Sequence, residues 1–356
     1  MKTTDTAIAF IWQDVLGAAL AQKLARNGYE VRGFARGADA VAEVPGVQAA
    51  ATIAEAIAGA AMVFTLFEGP QEVEEVYLGS GGIFESAKEN TYFVDLTTSN
   101  PRLARELHAL ASVHDSSFVD APVEGGAEGF ETGLLRIYAG GEDDSLGVVA
   151  PVLQALTPQV FEMGLPGTGM AMRIASIIAV AGNLMSLVEA LAFAGYSGIA
   201  PERMGAFAQE GPAASAVAAR YTAHIAAEDF KTGGGLRRFH RELTTALDAA
   251  DELDMAFPTL ETAHQLFDLL VLVGGGDMGL QTLALIYREE EFCNAQGLDW
   301  ALAQRVMDVY DRANGYEYDY DDDDCDDPDC GHHHGHSHHH DDEDDLPGMG
   351  GYFSPN

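Results

Sequence analysis

The fold of this chain is decided by the stretch Ala7-Ile8-Ala9-Phe10-Ile11-Trp12-Gln13-Asp14-Val15-Leu16-Gly17. An apolar run ends at a short loop, an alanine-rich helical segment follows over 17–26, and a second apolar run begins at residue 30. This order is typical of the first βαβ unit of a dinucleotide-binding domain, in which the loop has the pattern G-x-G-x-x-G. Here Trp12 stands at the first glycine position and Asp14 at the second, and only Gly17 remains.

The altered loop predicts poor binding of a dinucleotide. The second glycine normally lets the backbone approach the pyrophosphate, which then accepts hydrogen bonds from amides at the helix N-terminus. Asp14 stands where a helix N-cap would, so its carboxylate can occupy those amides and repel a phosphate. We expect Trp12 to block the loop; packing of its ring on the helix is an equally good alternative. The sequence therefore predicts that NAD(H) and NADP(H) bind weakly or not at all.

Length and composition fit two globular domains. A chain of 356 residues can bury two full cores, and a hydrophobic content of 47% is ordinary. The first five residues lack the basic and apolar regions of a signal peptide, and we expect no apolar run of membrane-spanning length. The cysteines Cys293, Cys325 and Cys330 do not make a disulfide framework. These features predict a cytoplasmic protein.

The net charge of −37 is concentrated at the C-terminal end. Residues 316–356 contain 14 acidic residues, no lysine or arginine, and seven of the 12 histidines. Subtracting those 14 charges from 37 still leaves 23 negative charges on the rest of the chain. Such a surface disfavours nucleic acid and anionic membranes, and we exclude both as partners.

The chain divides into three regions. Over 1–163, strand-like and helix-like segments alternate, which predicts a Rossmann-like, doubly wound parallel sheet. A glycine-rich break at 164–169 precedes a long apolar segment over 170–194, and helical patterns then continue, so an all-α domain is predicted over 164–315. The tail, residues 316–356, is too polar to pack a core and is expected to be disordered. The predicted strands are 7–11, 30–34, 62–67, 92–96, 118–120, 135–139 and 159–162.

Several segments together resemble the β-hydroxyacid dehydrogenase family, typified by 3-hydroxyisobutyrate dehydrogenase, over residues 6–310. Asp120-Ala121-Pro122-Val123-Glu124-Gly125-Gly126 is similar to the family's substrate-loop signature D-A-P-V-S-G-G. Residues 164–176 resemble its interdomain motif G-x-G-x-x-x-K-x-x-N, and residues 239–243 resemble its later K-D-L element. Residues 73–82 and 97–101 also lie at matching places. Five motifs in the family's order imply its fold.

The chemistry implied by the resemblance is altered. Arg173 stands at the family's catalytic lysine, and arginine can orient an anion but cannot readily transfer a proton. Ser176 stands at its asparagine, and Glu124 stands at the serine that helps to hold the substrate carboxylate, so Glu124 would repel an acid. Arg241 and Glu242 replace the second lysine and its acidic neighbour. The predicted catalytic positions are therefore Arg173, Ser176, Glu124 and Arg241.

Two further expectations concern charge. Arg173 and Glu124 are predicted to face one another and to form an ion pair, or to bind a zwitterionic or cationic ligand together. Arg36, after the second strand, lies where the family can bind a 2′-phosphate, although a solvated surface arginine is equally consistent with the sequence. NADP is therefore a better candidate than NAD if either binds. The predicted cofactor-binding positions are Trp12, Gln13, Asp14, Gly17, Arg36 and Thr97.

The tail carries a second candidate site. Imidazole and thiolate groups suit Ni²⁺, Co²⁺ or Zn²⁺, and the acidic flanks concentrate divalent cations. A solubilising tail without a metal role is the alternative. The predicted metal ligands are Cys325, Cys330, His332, His333, His334, His336, His338, His339 and His340.

Three functions remain open on the sequence. The first is a non-canonical family member that binds a small-molecule ligand in the interdomain cleft and divalent metal through its tail, in metal handling or metallocofactor assembly. The second is a divergent NADP-dependent oxidoreductase acting on a small hydroxyacid or related carbonyl compound. The third is a pseudoenzyme with a regulatory or scaffold role. A homodimer is expected in each case.

Overall fold

The structure of the chain is a computed structural model, and it describes residues 6–37, 43–200, 203–205 and 211–305. The described residues belong to one compact unit. The tail and its candidate metal ligands lie outside the described residues, as does the domain boundary predicted at residue 315.

The first half of the chain forms one twisted sheet. The strand order is β3-β2-β1-β4-β5-β6-β8-β7, and β9 pairs with β8. Neighbours from β3 to β6 are parallel, β8 is antiparallel to β6 and β7, and β9 is parallel to β8. The predicted doubly wound sheet is confirmed, since the order reverses beside β1 as in dinucleotide-binding folds. The strands are β1 Ala7–Trp12, β2 Glu30–Ala35, β3 Gln48–Ala49, β4 Met62–Leu66, β5 Tyr92–Asp95, β6 Ser117–Asp120, β7 Val123–Glu124, β8 Arg136–Gly140 and β9 Val160–Gly164.

Helices connect the strands and then form the second half, which confirms the predicted helical domain. The predicted long helix is present and is extended at both ends. Two 3-10 segments are present: Gly275–Asp277 lies partly within the glycine run at 274–276, and Leu280–Tyr287 follows it. The helices are α1 Val15–Arg26, α2 Ile53–Ile57, α3 Pro70–Leu78, α4 Ile83–Ser86, α5 Pro101–Val113, α6 Gly126–Thr132, α7 Asp143–Leu156, α8 Thr168–Tyr196, α9 Ala216–Ala226, α10 Leu236–Glu252, α11 Pro258–Leu272 and α12 Glu290–Gln296.

Strand β1 is buried on both faces, as expected for the centre of a parallel sheet. Ile8, Phe10 and Trp12 belong to the core under α1 and α7, whereas Ala9 and Ile11 belong to the core on the opposite face. A third core lies among α8, α9, α10 and α11. The alternation of side chains along β1 therefore sends Trp12 into the same layer as Phe10.

The expectation that Trp12 blocks the cofactor loop is wrong. Trp12 is the last residue of β1 rather than a loop residue, and its side chain is 1% exposed. The indole lies against Gly17 of α1 and Gly33 of β2, and a Cβ at either glycine would collide with the ring. The fold therefore accommodates the large side chain inside the core by having glycine on both neighbouring elements.

Helix α8 also corrects the expectation that the chain has no apolar run of membrane-spanning length. This 29-residue helix is long and apolar enough, by length and composition only, to cross a membrane, and 33% of its most apolar window is buried. The core helix of a globular protein meets the same criterion. Its buried residues from Ile174 to Val188 pack in the helical core, whereas Phe193 and Tyr196 near its C-terminal end are exposed.

Candidate active site

The carboxyl ends of β1, β4 and β6 meet the N-terminal parts of α1, α8 and α10. In open parallel sheets this edge, at the point where the strand order reverses, is where ligands bind. Asp14 lies in the loop after β1, Glu68 in the loop after β4, and Asp120 at the end of β6. Opposite them, α8 carries Arg173 and α10 carries Arg241. Charged groups of both signs therefore come together at this edge.

Asp14 is the N-cap of α1, as predicted. Its carboxylate accepts a hydrogen bond of 2.8 Å from the backbone N–H of Gly17. Partial burial raises the pKa of Asp14; the Gly17 bond and the charge of Arg238 oppose this shift, and the charge of Glu68 adds to it. One of the amides that a phosphate could use at this helix end is thus already bound to a carboxylate.

Arg173 is held between two carboxylates. Its Nη2 lies 2.6 Å from Oε2 of Glu242, and its Nη1 lies 3.5 Å from Oε1 of Glu124. The side chain is only 7% exposed, and its buried Nε has no hydrogen-bond partner among the described residues. The predicted Arg173–Glu124 ion pair is therefore present, and Glu242 forms a second, shorter pair. We call Arg173, Glu124, Glu242, Ser176 and Tyr138 the Arg173 cluster.

Glu124 accepts hydrogen bonds at both oxygens. The Tyr138 hydroxyl donates to Oε2 at 2.6 Å, and the Ser176 hydroxyl donates to Oε1. Arg136 lies 3.8 Å from Oε2. Burial alone would raise the pKa of Glu124, but Arg173 and these donors lower it, so Glu124 is a carboxylate at neutral pH. Burial, reinforced by the Glu124 carboxylate, raises the pKa of the Tyr138 phenol.

Helix α10 presents two more guanidinium groups to this edge. Arg241 Nη2 lies 3.5 Å from Oε2 of Glu68. Arg238 Nε lies 4.0 Å from Oε1 of Glu242, and its guanidinium lies against Gly126, where a Cβ would collide with it. Sequence reasoning missed Arg238 because it precedes the residues that resemble the K-D-L element. The signal available was its spacing, since Arg238 and Arg241 are three apart and share a helix face.

Two of the remaining predicted cofactor positions, Arg36 and Thr97, make contacts within the protein. Arg36 forms a 2.7 Å ion pair with Glu75 and is 28% exposed. Thr97 is fully buried, and its hydroxyl accepts a 3.0 Å hydrogen bond from the N–H of Phe67. Gln13 is half-buried, and its buried Oε1 has no hydrogen-bond partner among the described residues. The described contacts thus give Thr97 a structural role and leave Gln13 with an unused acceptor.

Two buried acids were not predicted. Asp120 accepts the N–H of Gly167 at 2.7 Å and that of Met170 at 2.8 Å, so its carboxylate caps the start of α8. Burial raises its pKa to about 7. Asp95 accepts hydrogen bonds from the Thr65 hydroxyl and the Thr97 N–H, and burial raises its pKa to about 6. The available signal was an aspartate ending each of two apolar strands.

Within the described part of the chain, no group of three or more histidine, cysteine or acidic side chains is arranged to hold a metal ion. The predicted tail ligands lie outside this part of the chain.

Comparisons with known proteins find relatives over most of the chain. Residues 7–164 match the NAD binding domain of 6-phosphogluconate dehydrogenase, and residues 167–287 match the NAD-binding domain of NADP-dependent 3-hydroxyisobutyrate dehydrogenase. The Arabidopsis thaliana protein named "Probable 3-hydroxyisobutyrate dehydrogenase-like 2, mitochondrial" is 31% identical, covering 81% of this chain and 95% of its own. The uncharacterized oxidoreductase YkwC of Bacillus subtilis is 30% identical, covering 80% and 98%.

A solved structure supports the same fold. Mycobacterium tuberculosis 3-hydroxyisobutyrate dehydrogenase with L-serine matches with a TM-score of 0.71 at 23% identity, covering 80% of this chain and 99% of that one. At this identity the likeness concerns the fold alone.

Proposed function

Since this chain belongs to the β-hydroxyacid dehydrogenase family and carries that family's two NAD-binding domains, we propose that it is a member with altered chemistry. It binds a small-molecule ligand against the Arg173 cluster, and it does not perform the lysine-dependent proton transfer that the resemblance implies for other members. The pairing of Arg173 with both Glu124 and Glu242 is the observation that carries this proposal.

The ion pairs of Arg173 support a binding role rather than an acid–base role. A guanidinium stays protonated at any accessible pH, so Arg173 can bind a carboxylate but does not readily transfer a proton. Glu124 is a stabilised carboxylate and Tyr138 has a raised pKa, so neither readily exchanges a proton near neutral pH. Asp14 adds a negative charge where a dinucleotide would place its pyrophosphate.

Calorimetric titration of the full chain with NADPH and NADH tests the proposal. We expect a Kd in the high micromolar range or weaker for both, and no NAD(P)-dependent oxidation of short hydroxyacids. Submicromolar binding of either nucleotide, together with turnover of a hydroxyacid, would contradict it.

The second candidate is a divergent NADP-dependent oxidoreductase. The burial of Trp12 favours it, because the bulkiest departure from the glycine pattern lies in the core and away from the loop surface. Arg36 favours NADP over NAD, since its partly exposed guanidinium pairs only with an exposed glutamate among the described ion pairs. Binding of NADPH at least tenfold tighter than NADH, lost in Arg36→Gln, would support this alternative.

The proposal for the tail rests on sequence alone. Cys325, Cys330 and the histidines over 332–340 bind Ni²⁺, Co²⁺ or Zn²⁺, in metal handling or metallocofactor assembly. A homodimer and a cytoplasmic location also remain proposals.

A further inference from the structure

Hydrogen-bond donors and acceptors are not matched in number in the Arg173 cluster. Both oxygens of Glu124 accept hydrogen bonds, from Ser176 at Oε1 and from Tyr138 at Oε2. Glu242 is paired with Arg173 at Oε2 and faces Arg238 at Oε1. Glu124, which also lies 3.5 Å from Arg173, therefore has little acceptor capacity left for a cationic ligand.

The guanidinium groups, by contrast, have N–H donors that no described acceptor uses. Each arginine has five N–H donors. The buried Nε atoms of Arg173 and Arg241 have no hydrogen-bond partner among the described residues. Buried unpaired donors are unusual in proteins and indicate a missing acceptor. The Arg173 side chain is more than nine-tenths buried, so this donor is shielded from bulk solvent.

Arg238 is the most accessible of these arginines. Its side chain is 43% exposed, and its nearest carboxylate oxygen in the described ion pairs, on Glu242, is 4.0 Å away, beyond hydrogen-bonding distance. Its guanidinium lies against the backbone of Gly126, in the segment that resembles the substrate loop. Gly126 has a φ of +59° and no Cβ, and both features allow this close approach.

We propose that Arg238 is a specificity-determining residue that binds the carboxylate of a small organic acid beside Gly126. The planar guanidinium fork matches a carboxylate in geometry, and the charge-assisted hydrogen bonds favour the acid over a neutral analogue. Arg238 thus takes over the anion-binding role that Glu124 does not fill. The inference deepens the proposed function, and it rests on that function only in placing a ligand at the Arg173 cluster.

This inference reverses the ligand charge predicted from the sequence. Glu124 alone suggested a zwitterionic or cationic ligand. Its charge is instead balanced by Arg173 and the neighbouring donors, which leaves Arg238 to select an anion.

The test compares an acid with its neutral isostere. We would titrate the full chain, without nucleotide, with 3-hydroxybutyrate and with 3-hydroxybutanamide by calorimetry. The wild-type protein should bind the acid about tenfold more tightly than the amide, as expected for one charge-assisted contact. Arg238→Gln should bind the two compounds equally.

Arg237→Gln is the matched control, because it makes the same change on the adjacent residue of α10. Arg237 contacts Gly276 and lies 3.9 Å from Asp277, so it belongs to another part of the surface. This variant should keep the tenfold preference. Gly126→Ala should lose the preference for the acid although it keeps arginine at position 238, because the added Cβ would displace the guanidinium.

Three outcomes would overturn the inference. They are equal affinity of the wild-type protein for acid and amide, no measurable binding of the acid, and a preference that survives in Arg238→Gln. Tight NADPH binding would contradict the proposed function yet leave this comparison interpretable, since the titrations contain no nucleotide.

Discussion

The indole of Trp12 occupies the space beside Gly33 on the neighbouring strand, so that no side chain at position 33 could coexist with it. Phe10 packs edge-on against the same indole, with ring centroids 6.0 Å apart. The tryptophan at the first position of the cofactor-loop pattern is thus part of the core of the sheet. Substitutions at this position should affect the stability of the fold more than they affect ligand binding.

Replacing Trp12 with alanine should lower the free energy of unfolding by about 3–5 kcal/mol, because it empties a fully buried site. Urea denaturation measures this loss. Gly33→Ala should cost about 1–3 kcal/mol in the wild-type protein through overpacking, and less when Trp12 is already alanine. Additive effects of the two changes would show that the ring and Gly33 are not coupled.

Replacing Asp14 with asparagine should strengthen NADPH binding about threefold to thirtyfold. The change removes a negative charge from the N-terminus of α1 but keeps an oxygen that can accept the Gly17 N–H. Calorimetry measures the change, with Glu30→Gln as the control. Glu30 begins β2 at the opposite edge of the sheet, so the same loss of charge there should leave the affinity unchanged. An equal gain in NADPH affinity in the control would show that net charge is the cause.

Replacing Glu124 with alanine should destabilise the chain by about 3 kcal/mol, since it leaves a buried guanidinium with one carboxylate fewer. Chemical denaturation at neutral pH is the measurement. Glu106→Ala removes an exposed partner of Arg102 and should leave the stability nearly unchanged. Similar losses in both variants would mean that Arg173 is better solvated than its 7% exposure indicates.

Replacing Asp95 with asparagine should change how stability depends on pH. Burial raises the pKa of Asp95 from 3.8 to about 6, so the folded chain holds a proton that the unfolded chain releases between these values. The wild-type protein therefore loses stability as the pH rises from about 4 to 6. Asparagine does not titrate. The stability of the variant relative to the wild type should therefore rise across this window, by at most about 3 kcal/mol above pH 6.

The measurement for Asp95 is the difference between variant and wild-type stabilities at pH 4, 5, 6 and 7. Thermal or urea unfolding at each pH provides it. Glu89→Gln, which removes a carboxyl group at an exposed loop position, is the control. A difference that is constant from pH 4 to 7 would mean that Asp95 does not titrate in this range.

Deleting residues 316–356 should abolish the binding of several Ni²⁺, Co²⁺ or Zn²⁺ ions per chain and leave the melting temperature nearly unchanged. Neutral imidazole is the ligand, so binding by the full chain should weaken as the pH falls below about 6.5. Equilibrium dialysis with metal analysis gives the stoichiometry. Serine at the seven tail histidines is the matched control, because it keeps the acidic flanks. Unchanged stoichiometry in the truncated chain would place the metal elsewhere.

The sequence predicted the fold well because the periodicity of apolar residues is a local property. The sheet, the long helix α8 and the N-cap role of Asp14 all follow from short stretches of chain. Trp12 was misplaced because the loop pattern was read without the neighbouring strand, where Gly33 makes room for the ring. The Arg173–Glu124 pair was predicted through the family resemblance. Periodicity alone does not show contacts between distant residues, so Asp120 at α8 and Arg238 at Gly126 were missed.

The carboxylate of Asp120 binds the N-terminal end of α8 beside the sheet, so this end is the pivot for any tilt of the helix. With 29 residues, α8 is about 43 Å long. Arg173 lies one and a half turns from the pivot, whereas Tyr196 lies at the far end. A tilt of about 10° would move Arg173 by about 1 Å and Tyr196 by about 7 Å. A given tilt of α8 would therefore displace the exposed Phe193 and Tyr196 several times further than Arg173.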